Sequence, residues 1–167
     1  MILMGSQSDA PIMQGAVDVL KELGISVEMT VASAHRSPER VQRLIGEAAA
    51  RGVAVFIVGA GAAAHLAGVV AAHVTRPVIG VPIDSSALSG LDALLSTVQM
   101  PPGVPVATVS IGKPGATNAG VLAAQILALG DRGIAERLEK YKRGLAEKVE
   151  KAALEIESRI PDPKSRQ

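Results

Sequence analysis

Short apolar runs alternate with stretches of helical period along residues 1–129, and no other feature constrains the fold of this chain as tightly. Residues 1–4 read as a short apolar strand. Pro11 suits the first turn of a helix, where its missing N–H is no loss. Ile12, Ala16, Val19, Leu20 and Leu23 then recur at helical spacing until Gly24 stops them. Ile25, Val27, Met29 and Val31 alternate as a strand with one more polar face. Ser37 reads as an N-cap, with Pro38 at the first helical position and Glu39 near the positive end of the helix dipole. Val41, Leu44, Ile45 and Ala48 make that helix's apolar stripe, and Gly52 ends it. Val53 to Val58 is apolar throughout, as a central parallel strand covered on both faces should be. A glycine turn leads to a helix from about Ala63 to Val74. Pro77–Ile83 reads as a strand, Leu88–Val98 as a helix, Val104–Ile111 as a fifth strand and Gly115–Leu129 as a small-residue helix.

This alternation predicts a three-layer α/β/α sandwich around a five-stranded parallel sheet. The flavodoxin-like order 2-1-3-4-5 is favoured, because it sets the first and third strands side by side with the switch point between them. Residues 1–130 would form that domain. Of the 33 charged residues, 18 lie from Asp131 onward. There Ile134, Leu138, Tyr141, Leu145, Val149, Ile156 and Ile160 make a narrow apolar stripe. A helix over about 131–160 would run roughly 40 Å, more than one side of such a domain can cover. It reads as an arm packing on neighbouring subunits, a solvated terminal helix that frays being the bland alternative, with 161–167 a disordered tail marked by Pro161 and Pro163. The first strand is short for a central one, which leaves room for a few residues upstream of Met1.

Composition excludes several function classes. Phe56 and Tyr141 are the only aromatics and the formal net charge is +1, so base-stacking platforms and a field to gather polyanions are both missing. Nucleic-acid binding is disfavoured. There is no Cys, which removes disulfides, thiolate metal sites and Cys nucleophiles. The N-terminus has no basic segment followed by a cleavage pattern, so a cytoplasmic location fits best. Residues 53–72 carry almost no charge, but Gly59, Gly61 and Gly68 interrupt them, and they read as buried strand and helix rather than a membrane span.

The chemistry-bearing motifs sit in strand-to-helix loops. In Gly5-Ser-Gln-Ser-Asp9, Gly5 allows a tight turn, Ser6 and Ser8 offer hydroxyls to phosphate beside a helix start, and Asp9 can accept from ribose hydroxyls. Ser8 or Asp9 as a plain helix cap is the bland alternative. In Ser33-Ala-His35-Arg36, the imidazole can give and take a proton near neutral pH, and the guanidinium can bind phosphate or carboxylate bidentately. Gly59-Ala-Gly61-Ala-Ala-Ala64 matches a dinucleotide fingerprint, with Asp84 lying 25 residues on. The acid comes late and the motif is on the third strand, which argues against a nicotinamide site. His65 either faces the crevice or is a hydrogen-bonded structural residue. His73 is read as structural. The three histidines lack metal-ligand spacing, so no metal is expected. Ser85, Ser86 and Ser89 follow a strand and either touch ligand or cap the next helix.

GSQSD, SAHRSPE, the glycine loop ending in AAHLAG, PVIGVP and SALSGLDALLSTVQMPPGVPVATVSIG together resemble the PurE family, in its bacterial N5-carboxyaminoimidazole ribonucleotide mutase class. The resemblance covers residues 1 to about 130. It implies a flavodoxin-like subunit, a homo-octamer, a small ribonucleotide as substrate and no ATP, metal or organic cofactor. It implies transfer of a carboxylate from the exocyclic nitrogen to ring carbon C4 of the aminoimidazole, by decarboxylation and recapture of trapped carbon dioxide. By the same resemblance His35 is the general acid/base, and Ser6, Asp9 and Arg36 hold the phosphoribosyl part. Ser33, Gly61, Ala62 and His65 line the carboxylate side. Ala62 stands where the family usually has a second glycine, and Ala67 where proline is common. Two other readings stay open: a carboxylase of the same family using free carbon dioxide, and a non-catalytic nucleotide-binding module.

Overall fold

The computed structural model describes residues 1–159. Strands β1 (Ile2–Met4), β2 (Met29–Val31), β3 (Phe56–Gly61), β4 (Val78–Ile83) and β5 (Ala107–Thr108) form one sheet in the order β2-β1-β3-β4-β5. Every neighbouring pair is parallel. Six α-helices accompany them among the described residues: α1 (Ala10–Glu22), α2 (Pro38–Ala50), α3 (Leu66–His73), α4 (Leu91–Val98), α5 (Gly112–Ala128) and α6 (Arg132–Glu157). The flavodoxin-like order expected from the sequence is the one observed.

The period-2 alternation of the strands divides the core into two layers. Ile2, Met4, Ile57 and Val81 face α1 and α5, where they meet Met13, Ala16, Leu20, Ala116 and Ala123. Leu3, Phe56, Val58 and Val78 face the other way, onto Val41, Ile45, Leu66, Val70 and Ala93 of α2, α3 and α4. Phe56 is fully buried, and burial of such a side chain is worth about 1.5–3 kcal/mol. Helices α1 and α5 pack backbone to backbone because small residues line both: a Cβ on Gly120 would come within 3.0 Å of the Ala16 carbonyl oxygen.

Element boundaries differ from the sequence reading for one reason. Strand pairing extends only as far as a partner does. β2 is confined to three residues because it pairs with β1, whose ladder starts at Ile2. β3 starts at Phe56 rather than Val53, and it runs on through Gly59-Ala60-Gly61, which pair with Val81, Pro82 and Ile83 of β4. The predicted glycine turn is therefore strand. The edge strand β5 spans two residues instead of eight because only Ile79 and Gly80 of β4 face it in register. Helix α4 begins at Leu91, after Gly90 at φ +83°, rather than at Leu88. Helix α3 begins at Leu66, so His65 precedes it, and α5 begins early, at Gly112.

Asp131 caps α6, its Oδ1 accepting from the Ile134 N–H at 3.0 Å. The first turns dock: Ile134 and Leu138 are buried with Val19, Leu23 and Ala124, and Arg137 Nε donates to the Leu23 carbonyl at 2.6 Å. Past Tyr141 the apolar residues face outward, Val149 being 67% exposed and Leu154 66%. The predicted tail at 161–167 lies outside the described residues. Among the described residues, no helix is long and apolar enough to cross a membrane.

Candidate active site

The loops after β1, β2, β3 and β4 meet over the carboxyl ends of the strands and enclose a cleft of about 290 Å³. This is the switch point, where the chain leaves β1 and β3 in opposite directions. Sequence order placed the loop after β2 near the loop after β1, and backbone pairing fixes the distance: the Ala32 N–H donates to the Met4 carbonyl at 2.9 Å, and the Gly5 N–H to the Gly59 carbonyl at 3.1 Å.

The first loop is a capping box. Ser6 Oγ accepts from the Ser8 N–H, and Asp9 Oδ2 accepts from the Ser6 N–H at 3.0 Å. The capping reading and the binding reading thus describe the same side chains. Ser8 Oγ lies 2.9 Å from Ser6 Oγ and 3.4 Å from Asp9 Oδ1. Asp9 is only 4% exposed, and burial raises its carboxyl above the usual carboxylate range. The bonds from Ser6 and Ser8 and the Arg36 charge pull the other way without cancelling it. Gly5 is outside the left-handed region, so the turn does not demand glycine there for its dihedral angles.

The second loop is closed by its own serines. Ser37 occupies the N-cap position of α2 but bonds back rather than forward: its Oγ accepts from the Ser33 N–H and donates to the Ser33 carbonyl, both at 3.2 Å. Ser33 Oγ accepts from the Arg36 N–H at 3.2 Å. Arg36 Nη2 then reaches across to the Gly5 carbonyl at 3.1 Å. The guanidinium ties the two loops together while remaining exposed at the cleft wall.

The two histidines of the cleft form a pair. His35 Nε2 and His65 Nδ1 are 2.7 Å apart, with the rings nearly perpendicular at 80°. In a hydrogen bond between two such nitrogens, one carries the hydrogen and the other the lone pair, so the tautomer of each ring fixes that of the other. The sequence left His65 between crevice and core. The structure places it, exposed, at the start of α3. His73 is the last residue of α3, and it bonds to the Val69 carbonyl away from the cleft.

Of the residues singled out from sequence, Ser6, Asp9, Ser33, His35, Arg36, Gly61 and His65 line the cleft together. Ala62 does not; its flanking residues Gly61 and Ala63 do. Ala62 is exposed and left-handed at φ 51°, a conformation that favours glycine. Ser85 also lines the cleft, while Ser86 Oγ accepts from the Leu88 N–H. Ala34 and Leu66 were missed, since nothing in a lone apolar residue marks it as cleft-facing. Gly59 and Gly61 leave room for neighbouring side chains: a Cβ on Gly59 would strike Met13 of α1, and one on Gly61 would strike Ser85 after β4.

A parallel sandwich with hydroxyls, a carboxylate, a guanidinium and a histidine pair at its switch point has the groups of a small-molecule enzyme site of the α/β class. The particular lineage follows from comparison with known proteins. The AIR carboxylase family model matches residues 1–148, and the chain belongs to that family. N5-carboxyaminoimidazole ribonucleotide mutase of Bacillus subtilis is 53% identical over 148 residues, covering 89% of this chain and 91% of that protein. The enzyme of the same name from Pyrococcus horikoshii is 50% identical over 156 residues, 93% of this chain and 87% of that one. Among solved structures, Treponema denticola PurE superimposes with a TM-score of 0.81 at 30% identity, over 96% of this chain and 97% of that one.

Proposed function

We propose that this chain is a purine-biosynthesis isomerase that converts N5-carboxyaminoimidazole ribonucleotide to its 4-carboxy isomer. The observation that carries the reading is the convergence of His35 with Ser6, Asp9 and Arg36 in one cleft, in a chain about half identical to enzymes of that name. Arg36 and the Ser6 and Ser8 hydroxyls receive the phosphate. Asp9 accepts from the ribose hydroxyls. The aminoimidazole then lies towards His35 and His65, over the small residues Ala60, Gly61 and Ala63.

His35 gives a proton to the exocyclic nitrogen as the N–CO2 bond breaks. Carbon dioxide, being uncharged, is kept by enclosure alone, and backbone at a glycine- and alanine-lined wall can approach it closely. The electron pair of the released enamine-like ring attacks carbon dioxide from C4. His35, now deprotonated, takes the C4 proton and restores the aromatic ring. One proton leaves and returns to one imidazole, so the cycle needs no external acid, base or cofactor.

The family's homo-octamer belongs to the same proposal. It is supported by two exposed apolar faces, Leu88, Leu91, Leu95 and Val98 around α4, and Leu145, Val149 and Ile156 on α6. Such faces mark contact with further protein. A cytoplasmic location goes with the pathway.

The test is direct. Purified protein given the carbamate should form the 4-carboxy product without ATP or added metal. It should show no comparable rate with aminoimidazole ribonucleotide plus bicarbonate. The reverse preference would make it the carboxylase, and saturable nucleotide binding with neither activity would make it a binding module.

A further inference from the structure

The substrate of the proposed reaction carries a phosphate and a carboxylate, and among the described residues lining the cleft Arg36 is the one permanent cation. With Arg36, Ser6, Ser8 and Asp9 taken up by the phosphoribosyl part at the loops after β1 and β2, the carboxylate has to be met by neutral donors. At the other end of the cleft, beyond β3, the loop after β4 contributes one lining residue, Ser85.

Local geometry aims this side chain. Ile83 pairs with Gly61 at the end of the ladder between β3 and β4. The Ser85 N–H then donates back to the Ile83 carbonyl at 3.0 Å, closing a three-residue turn about Asp84. The turn brings Ser85 over Gly61, into the space a side chain there would fill: its Cβ lies 2.9 Å from where a Gly61 Cβ would sit. The Asp84 carboxylate goes elsewhere, with Oδ1 beside Gly112 at the start of α5, so it does not line the cleft against an incoming anion. Of the four serine hydroxyls in the cleft wall, three are held within their own loops: Ser8 bonds Ser6 and Asp9, and Ser33 Oγ accepts from the Arg36 N–H. The hydroxyl of Ser85 has no partner among the described residues; its bond to Ile83 is made by the backbone.

We propose, resting on the function proposed above, that the Ser85 hydroxyl donates to the migrating carboxylate and so distinguishes carboxylated from uncarboxylated ribonucleotide. Ser85 stands over Gly61, one of the small residues beneath the aminoimidazole, so it borders the ring end of the ligand and not the phosphate end. Its neutrality suits the chemistry. A guanidinium against the carboxylate would hold the ground state by a charge pair that vanishes as carbon dioxide forms, and that loss would raise the barrier. A hydroxyl gives up less at that step and regains its acceptor when the C4 carboxylate appears. Ser85 keeps its own hydrogen throughout, and proton transfer stays with His35.

The experiment is calorimetric titration of the parent, Ser85→Ala and Arg36→Ala with two probes, 4-carboxy-5-aminoimidazole ribonucleotide and 5-aminoimidazole ribonucleotide. Alanine keeps the Cβ over Gly61 and removes only the hydroxyl, so the melting temperature should move by no more than about 2 °C. Ser85→Ala should weaken the carboxylated nucleotide by about tenfold and leave the uncarboxylated one within twofold of the parent. Arg36→Ala should weaken both. An unchanged affinity for the carboxylated nucleotide in Ser85→Ala, or a loss as large for the uncarboxylated one, would overturn this inference and leave the proposed function standing. A parent that binds neither nucleotide would sink the proposed function, and this inference with it.

Discussion

Arg36 is the residue whose loss should separate binding from folding most cleanly. Its guanidinium bonds the Gly5 carbonyl at 3.1 Å and stands 3.4 Å from Ser33 Oγ, and both contacts are solvent-exposed. Their removal costs the folded chain little, because exposed polar contacts exchange with water. The ligand loses more. A hydrogen bond to a charged group is worth about 1.5–3 kcal/mol, and 1.4 kcal/mol is a factor of ten. Arg36→Ala should therefore weaken binding of aminoimidazole ribonucleotide by about 10- to 150-fold, with the loss in KM and kcat reduced less. Calorimetric titration measures the affinity, and a thermal melt beside it should move by no more than about 2 °C. An affinity within threefold of the parent, with the fold intact, would refute the placement of the phosphate at this loop.

Asp9 predicts a trade of function for stability. Burial raises its folded pKa above the unfolded value, so the ionised carboxylate opposes folding at neutral pH, and that penalty is relieved as pH falls through the folded pKa. Asp9→Asn keeps an acceptor for the Ser6 N–H, so it should melt at or above the parent at pH 7 while binding nucleotide at least tenfold more weakly; a melting temperature below the parent at pH 7, with the deficit shrinking as pH falls, would show the sign to be wrong. Gly61→Ala drives a methyl against the Ser85 side chain, whose Cβ would lie 2.9 Å away, so kcat/KM should fall more than tenfold, and Ser85→Gly in the same chain should restore part of it. Deleting residues 142–167 leaves Ile134 and Leu138 docked and removes the exposed stripe of α6. Light scattering should then report a smaller assembly, and an unchanged mass would rule out the arm.

How much was legible in the sequence depended on whether the signal was local. Helix α1 was readable because Pro11 and Gly24 punctuate it, and Gly24 is left-handed at φ +67° as a helix stop should be. Alternation gave the layered sandwich, and the strand order came from choosing the flavodoxin-like arrangement that sets β1 beside β3. Strand lengths did not, because a ladder is a property of two segments, and neither Val53–Val55 nor Val104–Val106 announces that its partner is missing. In the site, Ser6, Asp9, His35 and Arg36 were visible from loop position. The His35–His65 bond was not, since it joins residues 30 apart and rests on β3 running past its glycines to deliver His65 beside the second loop. Ser37 carried the right letter for a cap but spends its hydroxyl closing the turn that holds Arg36.

The proposed proton transfers all pass through the imidazole at position 35, and the most direct measurement is single-turnover conversion of the carbamate by His35→Asn. The amide keeps polarity and approximate size but cannot carry a proton between nitrogen and carbon. Turnover should drop by about 10²- to 10⁴-fold while calorimetric affinity for the ribonucleotide stays within a few-fold of the parent. A variant that still converts the carbamate at near the parental rate would contradict the acid/base role assigned to His35.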